Sequence, residues 1–131
     1  MDVIFDNMLF RSFGLKVKNT NHLNSFERNV EFIEVAGRNG GLIIDNKNYK
    51  NKDIEISCLL DCRNINNKVA IEAINKHFQT YKGYKKLKFS DGYEFLAAVK
   101  GQIVYNELFN NFYEVSIVFS AKKEDDNELY S

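Results

Sequence analysis

The sequence contains no proline, no tryptophan, two cysteines and two histidines, and its 18 basic and 18 acidic side chains leave no net charge. Each scarcity excludes something. Without tryptophan the commonest sugar-stacking platform is missing. Zero net charge provides no long-range field to gather polyanions or anionic lipid beyond a Debye length. No apolar run approaches the roughly 20 residues that cross a bilayer. The opening Met1-Asp2-Val3 lacks the basic and apolar regions of a signal peptide, so the chain is expected to be made and kept on the cytoplasmic side, away from membrane. The missing proline accompanies abundant asparagine, lysine and isoleucine, a bias that goes with an AT-rich genome.

Cys58 and Cys62 end a strand-like run. Extended backbone would hold their Cα atoms about 13 Å apart, whereas a disulfide needs less than about 7 Å. They are expected as reduced, partly buried thiols. Two thiolates leave a zinc site two ligands short, and His22 and His77 stand at no useful spacing. The sequence predicts no metal and no cofactor.

What is present is enough for one core. At 131 residues, with 44% apolar, 14% aromatic and 27% charged side chains, the composition is that of an ordinary folded domain. No repeat or linker divides it. A single domain is expected over residues 1–121, followed by a polar, acidic tail over 122–131.

Period-two alternation marks strands. Phe13-Gly14-Leu15-Lys16-Val17-Lys18 is the first conspicuous one, and Asn19 to Asn24 breaks it. A second runs near Asn29 to Ala36; its apolar set shifts from Val30 and Phe32 to Ile33 and Val35, which predicts a bulge or burial on both faces and hence a central place. Gly37-Arg38-Asn39-Gly40-Gly41 then calls for positive φ or close backbone approach. Leu42-Ile43-Ile44 and the turn cluster Asp45-Asn46-Lys47-Asn48 predict a projecting hairpin or loop as far as Asp53. Ile54, Ile56, Cys58 and Leu60 share one strand face.

Helical periodicity appears once, over about Lys68 to Lys82. Ala70, Ile71, Ala73, Ile74, His77, Phe78 and Tyr81 fall in one arc, Asn64 to Asn67 supplies the N-cap, and Gly83 stands at C′. Beyond it, Leu87 and Phe89, the turn Ser90-Asp91-Gly92, and then Tyr93, Phe95, Ala97 and Val99 predict a hairpin. Gly101 marks a bulge before Ile103, Val104 and Tyr105, and Tyr113, Val115, Ile117 and Phe119 line the last strand. The fold class is mainly β (α+β): an antiparallel β-sandwich or rolled barrel carrying one packed helix.

Catalytic constellations are wanting. His22 lies in a polar loop, and His77, inside the apolar arc of the helix, fits packing or an interface better than general-base work. Asp45, Asp53 and Glu55 offer carboxylates without the lysine that accompanies nuclease-type metal sites. Gly37 to Gly41 precedes no helix and so cradles no phosphate. Lys82 to Lys88 is a basic cluster with one aromatic, compatible with a charged strand entrance. No enzyme is expected, and no catalytic residue is assigned.

Several segments, taken in order, resemble the N-terminal domain of siphophage distal tail proteins, a family that includes prophage tail components. They are Phe13 to Val17; Glu31 to Val35 followed by Ala36-Gly37-Arg38-Asn39-Gly40, with Asn39 where the family has aspartate; Tyr49 with Asp53-Ile54-Glu55-Ile56; Gly83 to Asp91; Ala97 to Val99; and Tyr113 to Phe119. The family usually carries a second, carbohydrate-module-like domain, and this sequence ends where that domain would begin; it also lacks the proline that often closes the family's last strand.

The resemblance implies a tail-tube-like fold assembling as a homohexameric ring. Such a ring joins the tail tube protein to the tail-tip hub or tail-associated protein of the baseplate, and DNA passes through its lumen without specific binding. The working residues would then be those between copies. Gly37, Arg38, Asn39, Gly40, Gly41, Leu42, Ile43, Ile44 and Tyr49 form the candidate inter-subunit loop, and His77 is a candidate interface or packing residue. The alternatives are a tail-tube or other baseplate protein, and a carbohydrate-binding β-sandwich module.

Overall fold

Alternation, turn chemistry and one helical stripe resolve in a computed structural model into ten strands, one α-helix and a 3-10 turn; residues 1–37, 40–79 and 83–123 are described. Strands β1 (Val3–Phe5) and β2 (Met8–Leu9) form a hairpin over Asp6-Asn7, both in the left-handed region at φ 49° and 67°. This is the type I′ geometry that matches strand twist, and Asp and Asn tolerate it. A 3-10 turn over Phe10–Phe13 follows, so Phe13 precedes the strand instead of opening it, and Gly14 at φ 79° launches β3 (Leu15–Thr20).

Strands β4 (Arg28–Glu34) and β5 (Gly41–Tyr49) pair only with each other, as a separate ribbon. The expectation that the Asn29 to Ala36 run is central is therefore corrected. Its apolar shift reflects exposure on both faces, since a two-stranded ribbon has no inside. Then come β6 (Lys52–Asp61), α1 (Asn67–Gln79), β7 (Lys85–Phe89), β8 (Glu94–Val99), β9 (Val104–Phe109) and β10 (Phe112–Lys122). Lys122 still belongs to β10; the remainder of the acidic tail from 124 onward lies outside the described residues.

All pairings among the described residues are antiparallel, and the large sheet runs β2-β1-β7-β8-β10-β6-β3. The spine is β10, eleven residues long. Phe112 to Ala121 pair with β6 along one edge; on the other edge Phe112 to Ser116 take β9 and Phe119 to Lys122 take β8. Inward positions register in rows such as Leu15-Leu60-Tyr113 and Val17-Cys58-Val115. A slip of one residue in β10 would turn that whole row to water, so the alternation fixes the register.

The sheet rolls over its own face. Phe5 on β1 and Phe119 on β10 are three strand spacings apart, about 14 Å in a flat sheet, yet their ring centroids lie 4.9 Å apart. A crevice lined by Val3 of β1 and by Leu15 and Val17 of β3 brings the far ends of the order close together. Helix α1 closes the roll. Ala70, Ile74 and Phe78 enter the core, where Phe78 stacks on Phe5 at 5.4 Å and meets Phe10 edge-on at 5.2 Å. Asn66 caps the helix, its Oδ1 accepting the Lys68 N–H at 2.9 Å. The expected Tyr81 and Lys82 fall outside the described residues.

Candidate functional site

The ribbon of β4 and β5 leaves the body with its apolar side chains in water. Phe32 faces Ile43 across the ladder, Ile33 faces Leu42, and Glu31 faces Ile44. Directly opposed residues share a face and neighbours alternate. One face thus presents Val30, Phe32 and Ile43, and the other Ile33, Leu42 and Ile44. Phe32 is 72% exposed and Ile43 60%. Covering a side chain of this size is worth roughly 1.5–3 kcal/mol, and among the described residues neither face has a covering element.

Local chemistry explains the ribbon's shape. Gly37 and Gly40 turn the chain at φ 81° and 83°, values that glycine adopts without cost. Gly41 begins β5 in extended backbone; a Cβ there would stand 3.2 Å from the Ile33 carbonyl oxygen. Arg38 and Asn39, between them, lie outside the described residues. The cluster Asp45-Asn46-Lys47-Asn48 is a bulge within β5 and not the hairpin's end, because Arg28 pairs with Tyr49 while Val30 pairs with Asp45. Lys47 adopts φ 60°, and its N–H bonds Asp45 Oδ1 at 2.8 Å. That bond, and next the Arg28 guanidinium, hold the Asp45 carboxyl below its ordinary range. Tyr49, at the foot, lies under Arg28 at 5.2 Å and Lys123 at 4.0 Å.

Asp45 is therefore committed to the ribbon, Asp53 to Lys100 at 3.1 Å, and Glu55 to the Ser116 hydroxyl at 3.1 Å, so the three acids do not converge. Among the described residues no group of three His, Cys, Asp or Glu side chains could hold a metal. Cys58 and Cys62 are buried free thiols, and burial pushes Cys58 up to about 12. Of the basic cluster, Lys88 pairs with Glu94 and the Tyr84 hydroxyl accepts from Asn51 at 2.8 Å. No helix among the described residues is long and apolar enough to cross a membrane.

His77 is placed apart from the ribbon. Its Nε2–H donates to the Phe5 carbonyl at 2.9 Å, and its ring packs against Phe5, Phe13 and Phe78. That bond supplies the partner a half-buried imidazole needs and ties α1 to β1.

His22 does lie in the turn that follows β3, but it is not a solvated residue there. Although its neighbours are polar, it is 2% exposed. Nε2 lies 2.6 Å from Asp91 Oδ2 and Nδ1 lies 3.2 Å from Thr20 Oγ1, while the ring stacks on Phe89 at 3.9 Å. His22 holds the Asp91 carboxyl below its ordinary range. Nothing local in the sequence signals this, since the partner is 69 residues away in the β7–β8 turn. Lys52 was also missed: its Nζ donates to the carbonyls of His22 and Asn24 at 2.8 and 2.6 Å and lies 4.5 Å from the centroids of both Phe26 and Phe95. Burial lowers its pKa.

The architecture defines a class: a mainly antiparallel β-domain with one helix, from which a two-stranded arm emerges. No family model and no curated protein matches the sequence. Among solved structures the chain is similar in fold to the Dit protein (gp 19.1) of SPP1, whose crystal structure is presented as a paradigm of the hub adsorption apparatus in phages infecting Gram-positive bacteria. The TM-score is 0.75 at 13% sequence identity, over 94% of this chain and 49% of that one. The chain thus spans about half the length of that protein.

Proposed function

We propose that the chain is a structural subunit of a phage or prophage-derived tail tip, forming a homohexameric ring that joins the tail tube to the receptor-binding hub and leaves a channel for DNA. The observation that carries this is the arm, apolar on both faces and left uncovered by the described residues of its own chain. A patch of this kind marks an interaction surface. An arm that docks on a different part of the next copy makes a head-to-tail contact, and such contacts repeated about an axis close a ring. The likeness in fold to a phage hub protein supports the same reading.

Light scattering coupled to size exclusion, followed by electron microscopy of the purified chain, tests it. One or two stacked hexameric rings are expected. Long cylinders would instead indicate a tube subunit, and a monomer at every attainable concentration would overturn the proposal.

A further inference from the structure

The arm touches the body chiefly through its roots, because β4 and β5 pack on each other and a two-stranded ribbon gains little stability of its own. Its direction is therefore set where the chain enters, over residues 21–27, and where it returns, at Lys50, Asn51 and the start of β6. Several part-buried polar contacts gather at these roots.

The entering segment is tied down three times. Asn21 Oδ1 accepts the Glu55 N–H at 2.8 Å, extending the ladder of β6 past the end of β3. His22 is buried against Phe89, with its Nε2 on Asp91. Lys52, the first residue of β6 and so part of the returning root, reaches back to the His22 and Asn24 carbonyls. Its charge is held by two carbonyl oxygens and two aromatic rings, Phe26 and Phe95, and no carboxylate pairs with it among the described residues. The roots are also joined directly, the Lys50 N–H donating to the Glu27 carbonyl at 2.8 Å.

We propose that His22, Asp91 and Lys52 form a latch that fixes the angle at which the arm leaves the body, so that each subunit presents it ready for docking. The inference rests on reading the arm as the docking element. Latching lowers the entropy lost on association, because an arm held in its bound direction has less freedom to surrender. The three act as positioning residues; the docking contacts belong to the arm's apolar faces. Asp91 lies at the surface, outside the core, so the bond it makes with His22 can be altered without opening the packed interior.

Spin labels on Ile43→Cys in the arm and Lys86→Cys on β7 report the angle as a distance distribution, with Cys58 and Cys62 too buried to label. The measurement is made on dilute monomer. A narrow distribution is expected, broadening at least about twofold in Asp91→Asn and in Lys52→Met, which keeps the stem between the rings, while circular dichroism of the body is unchanged. A width unchanged in both variants, or a distribution already broad without them, would overturn the latch. Self-association of unlabelled chains is measured separately, so an absent ring would count against the proposed function and leave the latch standing.

Discussion

Cys58 lies between Val17 and Val115 in a row across β3, β6 and β10, and its thiol is dry. Burial raises its pKa from 9.0 to about 12, which has a definite sign for stability. Above pH 9 the unfolded chain releases this proton while the folded chain keeps it, so stability falls as pH rises, by about 1.4 kcal/mol per pH unit until the folded thiol also ionises. Burial also raises the pKa of Tyr105 and lowers that of Lys52, and a difference measurement removes their contributions. Urea unfolding of the native chain and of Cys58→Ala from pH 8 to 12 should show the native chain losing ground against the variant above pH 9. A constant difference would mean that the thiol is not held neutral.

The arm is the element whose sequence and place in the fold disagree most with a solitary molecule. Phe32 and Ile43 make no core contact, so changing both to serine should leave the unfolding free energy within about 0.5 kcal/mol, as surface changes do. The same change removes two anchors from the proposed interface, each worth roughly 1.5–3 kcal/mol. Self-association should weaken by at least about a hundredfold in sedimentation velocity, with the melting temperature of the monomer nearly unmoved. A double variant that associates as before would transfer the interface to another surface.

At the scale of the whole molecule, zero formal charge and an apolar arm together predict which force would drive the proposed assembly. Apolar burial weakens on cooling and strengthens in sulfate, whereas contacts between exposed charges weaken in salt. Light scattering should therefore show the assembled fraction falling between 25 and about 5 °C and rising with ammonium sulfate. The opposite salt response would point to ion pairs as the principal contact.

The sequence by itself determined the elements whose signal is local. The alternation of Tyr113 to Phe119 and of Ile54 to Leu60, the arc of Ala70, Ile74 and Phe78, the Asn66 cap and the turn at Asp91-Gly92 each bury or bend as their spacing requires. Two further hairpins are written just as locally: Asp6-Asn7, and Asn110-Asn111 at φ 44° and 65° between β9 and β10. Only tertiary structure decided what depends on distant partners. An apolar run such as Val30 to Val35 looks the same in a central strand and in an arm, because its spacing records which faces are apolar and not what covers them. His22 is a loop residue as its neighbours suggest, but only the tertiary structure buries it against Asp91 and Phe89. That Asp45, Asp53 and Glu55 do not converge likewise follows from where each carboxylate finds its partner: Arg28, Lys100 and Ser116 reach them only once the strands are in register.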